Sequence, residues 1–83
     1  MPVRLTVEAE PEEDGRWIAE VPDLPGVLAY GKTRPEAIAR AQALCLRVLA
    51  DRLEHGEDVP EMGGVFSVLL SVTKRISAVV RPR

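Results

Sequence analysis

Trp17-Ile-Ala-Glu-Val-Pro-Asp-Leu-Pro-Gly-Val-Leu-Ala-Tyr-Gly-Lys-Thr-Arg-Pro-Glu-Ala37 decides the fold, because each residue in it has a local structural job. Trp17, Ala19 and Val21 alternate with Ile18 and Glu20, the period of a strand, until Pro22, which cannot donate to a ladder. Asp23, Pro25 and Gly26 build a turn: Pro25 has its φ preset, and Gly26 accepts a positive φ without a Cβ penalty. Residues 27–30 then return beside the strand before them, and Gly31 closes that return. Thr33-Arg-Pro-Glu36 is a capping box, in which the Thr33 hydroxyl and the Glu36 carboxylate each take up a free backbone N–H. A helix therefore starts at about residue 34.

Upstream, Val3, Leu5, Val7 and Ala9 alternate with Arg4, Thr6, Glu8 and Glu10, which predicts an antiparallel strand over residues 2–10 with one buried and one wet face. Glu12-Glu-Asp-Gly15 is a hairpin turn whose Asp-Gly pair favours the positive φ of such connections, so the first two strands pair directly. Trp17, sharing a face with Ala19 and Val21, reads as core.

Downstream, the helix is predicted over residues 34–55. Ile38, Ala41, Cys45, Val48 and Leu49 form its central apolar stripe, and Glu36, Arg40, Arg47, Asp51 and Glu54 lie on the opposite side. Leu44 and Ala37 widen the stripe on one flank, and Leu46 and Leu53 on the other, to roughly 200°, more than packing on a single surface requires. Some of that flank is available to another subunit or partner. Arg52 falls within the arc, where its stem packs while its guanidinium reaches water or a carboxylate. Gly56 supplies the C-terminal cap.

After Pro60, Met62-Gly-Gly64 reads as a joint and residues 65–72 as a fourth strand, with Phe66, Val68, Leu70 and Val72 on one face. A second β-like run, residues 76–80, is a short edge strand, a continuation of the fourth, or an arm that pairs with another chain. The fold class is α+β: β-β-β-α-β, a mainly antiparallel sheet with one helix packed on one face. Residues 1–73 form the α+β domain and residues 74–83 a basic tail or short extra strand.

Val21-Pro-Asp-Leu-Pro-Gly26, followed by Gly31-Lys-Thr33 and Glu36-Ala37, resembles the signature of the HicB family, the antitoxins of HicA/HicB toxin–antitoxin pairs. The resemblance runs from about Val3 to Pro60 and includes Gly56-Glu-Asp-Val-Pro60. It implies a partial ribonuclease H-like fold and a small basic HicA-like, RNA-cleaving toxin as partner. Many members also carry a DNA-binding domain after this core. Residues 61–83 show no helical periodicity, so the expectation here is a short form without that domain.

Eighty-three residues make one domain. A chain of this length buries only about 60 to 65% of its surface, which makes a homo-oligomer, a dimer or higher, the expected state. The 46% apolar and 29% charged composition is that of a folded protein. No apolar run approaches the roughly 20 residues of a membrane span, and the N-terminus lacks a signal-peptide core, so a cytoplasmic location and no membrane partner are expected. Cys45 alone supports neither a disulfide nor a cysteine metal cluster, and it reads as a small buried residue.

The net charge of −2 conceals an asymmetry: residues 1–73 hold seven Lys/Arg against thirteen Asp/Glu, a balance of −6, whereas residues 74–83 hold Lys74, Arg75, Arg81 and Arg83 and no acid. An acidic body repels phosphates and attracts a basic protein. The tail is a candidate for salt-sensitive, non-specific contact with nucleic acid, or is simply solvated or exchanged between subunits. Direct nucleic-acid binding by the sheet is not expected, since Trp17, Tyr30 and Phe66 are the only aromatics and their surroundings are acidic.

Catalysis is not expected either. Two-metal phosphodiester chemistry needs converging carboxylates, whereas Glu8, Glu10 and Glu20 alternate away from the core face, and Glu12, Glu13 and Asp14 belong to a hairpin tip. Asp23 is explained by a turn in which it bonds its own backbone. His55 is the sole histidine, placed in the last helical turn where the dipole favours it. No phosphate loop, nucleophile set, zinc spacing or cofactor motif is present. The chain is therefore read as a binding protein that neutralises a HicA-like toxin by occluding its active site and RNA surface. Partner contacts are expected at Glu8, Glu10 and Glu20 on the polar sheet face and at Pro22, Asp23, Leu24 and Pro25 in a protruding loop. The alternative is an orphan structural or regulatory oligomer of the same family, with weak DNA contact through its tail.

Overall fold

The hairpin turn, the Pro-Gly turn and the capping box each produce the element expected of them. The computed structural model describes residues 4–63, 65 and 66. In it β1 (Glu8–Pro11), β2 (Trp17–Glu20) and β3 (Leu28–Gly31) form an antiparallel sheet in the order β1-β2-β3, and α1 (Arg34–Glu54) covers one face. A single 3-10 turn, Pro60–Met62, follows. Val65 lies in a turn, its N–H donating to the Met62 carbonyl at 3.0 Å, so the expected fourth strand does not begin there. The rest of that strand and the tail, residues 67–83, lie outside the described residues.

β1 is shorter than its alternation predicts. Its ladder ends where Glu8 pairs with Glu20. Two residues further on, β2 reaches Pro22, which has no N–H to give, and the Thr6 N–H turns instead to the Asp23 carboxylate, 3.5 Å away. The alternation itself persists without the ladder. Leu5 and Val7 pack on the core, while Arg4 and Thr6 are exposed.

The connection from β2 to β3 consists of two back-to-back β-turns. Leu24 N–H donates to the Val21 carbonyl (2.9 Å), Val27 N–H to the Leu24 carbonyl (3.0 Å), and Val21 N–H to the Val27 carbonyl (3.0 Å). Pro25 and Gly26 occupy the middle of the second turn, and Gly26, at φ 92°, supplies the positive dihedral of a type II turn. Leu24, shared by both turns, is driven inward and is 1% exposed. The expected protruding apolar contact is thus a core residue.

The core is graded along the helix. Ala9, Ala19 and Ala29 stand side by side across the three strands, and Ala19 packs with Ala37 and Ala41 of α1, with Trp17 and Ile38 at the margin. Small residues on both layers bring backbones together. A Cβ built on Gly31 would lie 2.5 Å from the Ala37 nitrogen, so only glycine fits there. Further along, Val21, Leu24, Val27, Cys45 and Leu49 form a second cluster, flanked by Leu5, Val7, Leu44, Val48, Val59 and Met62. The Cys45 thiol is raised in pKa, first by burial and then by the charges of Glu61 and Asp23.

Both ends of α1 are closed by side chain and backbone. Thr33 Oγ1 accepts the Glu36 N–H at 3.2 Å, and the Glu36 carboxylate reaches back to the Lys32 N–H, one residue earlier than a capping box usually does. Arg40 pairs with Glu36 (3.1 Å) and donates to the Tyr30 carbonyl (3.1 Å), tying the first helical turns to β3. At the other end His55 is the last, half-helical residue, and Gly56 beyond it supplies the expected left-handed cap. Gly56 (φ 75°) follows it in a Schellman arrangement, in which Glu57 N–H donates to the Arg52 carbonyl and Gly56 N–H to the Leu53 carbonyl. Arg52 finds its carboxylate in Glu61, 3.6 Å away on the 3-10 turn.

Candidate functional site

α1 covers the sheet face that carries Ala9, Trp17, Ala19 and Ala29, which leaves the opposite face to be read from the register. Glu8 pairs with Glu20, and Glu20 with Leu28; Glu10 pairs with Ile18, and Ile18 with Tyr30. Two cross-strand rows therefore run over this face, which no other described element covers, acidic at the β1 edge and apolar at the β3 edge. Leu28 is 40% and Tyr30 36% exposed. Glu8, Glu10, Glu20 and Ile18 rim a depression of about 110 Å³.

The three acids expected on the polar face thus come together. Glu8 and Glu20, directly opposite each other, form a like-charge pair that weakens a sheet unless a cation answers it. Arg4 and Arg16 each lie four residues in sequence from one member of the pair, but the Arg16 guanidinium lies 4.2 Å from the Tyr30 ring centroid with its Nε bonded to Asp14 at 2.8 Å, and no ion pair joins Arg4 to either acid among the described residues. Asp14 is lowered in pKa, mainly by the Arg16 backbone N–H. The Arg16 guanidinium over the Tyr30 ring is a cation–π contact.

Pro22, Asp23 and Pro25 are exposed on the double turn, next to the Glu20 end of the sheet, whereas Leu24 offers no surface to a partner. The Asp23 carboxylate bonds the Thr6 N–H in place of the expected backbone of its own turn. Lys74, Arg75, Arg81 and Arg83 lie outside the described residues. Among the described residues no group of three or more His, Cys, Asp or Glu side chains is placed to hold a metal ion. No described helix is long and apolar enough to cross a membrane.

This arrangement of strands and helix is found in known proteins. No family model matches the chain. The crystal structure of the N-terminal domain of the antitoxin HicB from Burkholderia pseudomallei superposes with a TM-score of 0.63 at 25% identity, over 84% of this chain and 98% of that one. Antitoxin HicB 1 of Photorhabdus laumondii is 32% identical over 78 residues; the match takes in 89% of this chain but only 50% of that antitoxin, so the chain spans about half its length. A UPF0150 protein of Thermoplasma acidophilum is 31% identical over 58 residues, 70% of this chain and 84% of the relative. The chain belongs to the HicB-like family.

For a HicB-like domain, the apolar half of the uncovered face is the part that sequence reasoning missed. Ile18, Leu28 and Tyr30 are not among the partner contacts expected from the sequence, although a signal is present in residues 28–31. Large and small side chains alternate there, and the close helix seat admits only the small ones, Ala29 and Gly31. Leu28 and Tyr30 must then face outward. His55 has a structural place: its Nδ1 lies 2.8 Å from the Asp51 carbonyl oxygen and 3.4 Å from the Asp51 carboxylate. The hydrogen bond to the Asp51 carbonyl, followed by the Asp51 charge, raises its pKa above the ordinary 6.5.

Proposed function

We propose that this HicB-like chain is a non-enzymatic, antitoxin-like binding protein of the cytoplasm that captures a small basic HicA-type RNA-cleaving toxin on the uncovered face of its sheet. The observation that carries the reading is the pairing of three carboxylates, Glu8, Glu10 and Glu20, which have no ion-pair partner among the described residues, with the exposed apolar surface of Leu28 and Tyr30 on one face. A basic protein that also presents aliphatic or aromatic surface complements both halves. The charges steer encounter and selectivity, and the apolar half supplies desolvation. Pro22, Asp23 and Pro25 extend the contact at one end. Residues 1–73 form the binding domain, and the toxin is inhibited by occlusion of its active site and RNA surface.

Support for the family role comes from the antitoxin names of the relatives. The experiment is a pull-down of the tagged chain from its native host, with intact-mass analysis and an RNA-cleavage assay. A stoichiometric small basic protein, silenced by this chain and released when Glu8, Glu10 and Glu20 are all changed to Lys, is the expected result. Unchanged binding by the triple variant overturns the assignment of the face. Recovery of self-oligomers alone, at native expression and moderate salt, favours a structural or regulatory oligomer whose basic residues Lys74, Arg75, Arg81 and Arg83 touch DNA.

A further inference from the structure

The half-acidic, half-apolar sheet face has a chemical match within the same sequence. No ion pair among the described residues involves Glu8, Glu10 or Glu20. Leu28 and Tyr30 stand exposed two strands away. Residues 74–83 carry Lys74, Arg75, Arg81 and Arg83 with no acid, and Ile76, Val79 and Val80 lie between the two pairs of cations. Cation and apolar side chain adjoin in the tail as carboxylate and apolar side chain adjoin on the face. The other acidic surfaces fit less well. The hollow at the hairpin tip is lined by acids and Pro11 alone, and the end of α1 sets Arg47 and Arg52 among its acids.

We propose that residues 74–83 dock on this face of their own chain and occupy it until a basic partner displaces them. Lys74 and Arg75 meet Glu8, Glu10 and Glu20, and the apolar run at 76–80 meets Ile18, Leu28 and Tyr30. The dimensions agree. From β1 to β3 is two strand spacings, about 10 Å, which three residues of chain span. The same step leads from the first two cations into the middle of the apolar run. The tether is long enough. Met62 packs on the cluster that contains Val21, the residue after Glu20. The twelve residues from Met62 to Lys74 reach up to about 40 Å, far more than the thickness of one sheet.

A tethered segment competes at an effective concentration in the millimolar range, so the apparent affinity for an outside ligand falls with the fraction of faces left free. Exposed ion pairs are individually weak, which keeps the docking reversible and sensitive to salt. A polycation without apolar surface is held off, whereas a partner that fills both halves of the face displaces the tail and frees its four cations. That consequence for capture rests on the reading of this face as the toxin-binding surface; the docking itself does not.

The test uses the full chain and needs no toxin. Lys74 and Lys32 are the only lysines, so zero-length carbodiimide coupling gives the tail a single lysine donor. At low salt, peptide mass spectrometry is expected to find Lys74 joined to Glu8, Glu10 or Glu20, within one copy when isotopically light and heavy chains are mixed. Absence of these links, or links between light and heavy chains, overturns the docking. In titrations with hexa-arginine, the K74Q/R75Q/R81Q/R83Q variant is expected to bind about three- to tenfold more tightly than the unaltered chain, the gain fading as salt rises. Removing four cations favours a polycation anywhere on the protein, so the comparison is repeated with E8Q/E10Q/E20Q, where the gain is expected to vanish. An equal gain in both backgrounds overturns the proposal. Lys74 links in a chain that captures no toxin sink the toxin reading alone, and a captured toxin without those links sinks the docking alone.

Discussion

Glu8 and Glu20 stand directly opposite one another on paired strands, with Glu10 two residues along the same face. Removing one like charge from such a pair relieves repulsion, and a Lys in its place makes a cross-strand ion pair. Glu20→Lys is expected to raise stability by about 0.2 to 1 kcal/mol in urea denaturation. The same substitution is expected to weaken capture of the basic partner. Gain and loss together, in one variant, mark a position kept for binding at the expense of the fold.

Gly31→Ala is expected to be among the more damaging single-atom changes in the molecule. The added methyl would sit 2.5 Å from the Ala37 nitrogen and 3.0 Å from its Cα, both backbone atoms that no rotamer change can move. Overpacking of this kind typically costs about 1 to 3 kcal/mol. Gly15→Ala meets nothing within 4 Å and suffers only the strain of its φ of 92°. Thermal melts of both variants are expected to rank Gly31→Ala well below Gly15→Ala.

Leu24→Ala tests whether the double turn is anchored by its side chain. Burial to 1% exposure predicts a loss of about 2 to 5 kcal/mol, a large fraction of the stability of a domain this small. Pro25→Ala, in the same loop but exposed, is expected to cost far less. If both variants melt alike, the loop is held by its turns and not by the leucine.

Stability should fall at both ends of the pH scale, for opposite reasons. Glu36 has its pKa lowered, mainly by the Lys32 N–H and then by Arg40, so its contribution is present above the ordinary carboxylate value of 4.5 and disappears as pH drops through the lowered one. His55 is raised above 6.5, so its contribution is full below that value and disappears as pH climbs through the raised one. His55→Ala is expected to flatten the decline on the alkaline side, and Glu36→Gln the decline on the acid side. Urea midpoints from pH 3 to 9 check both.

What was legible in the sequence was local. The Thr33–Glu36 cap, the positive φ at Gly15 and Gly26, and the burial of Ala41, Cys45 and Leu49 each follow from chemistry within a few residues. What escaped depended on the third dimension. Leu24 turns inward because two turns share it, and nothing in Pro-Asp-Leu-Pro-Gly specifies that direction. β1 ends early because Pro22 falls opposite Thr6, a fact of register. The acidic half of the sheet face could be read from alternation; its apolar half needed the close seat of Ala37 against Gly31 to show which side of β3 is which. Glu36 capping Lys32 instead of Thr33 likewise depends on the path by which β3 enters the helix.

Cys45 gives this domain a reporter of its own. The thiol is 4% exposed between helix and sheet, and burial keeps it protonated and unreactive. At that exposure a thiol reagent reaches it chiefly when the two layers part. With one cysteine in the chain, each alkylation event records a single opening of that seam, and the labelling rate under exchange conditions converts directly to an opening free energy. Measured with and without a partner on the far side of the sheet, that rate tells how firmly binding clamps the layers, with no probe attached and no residue replaced.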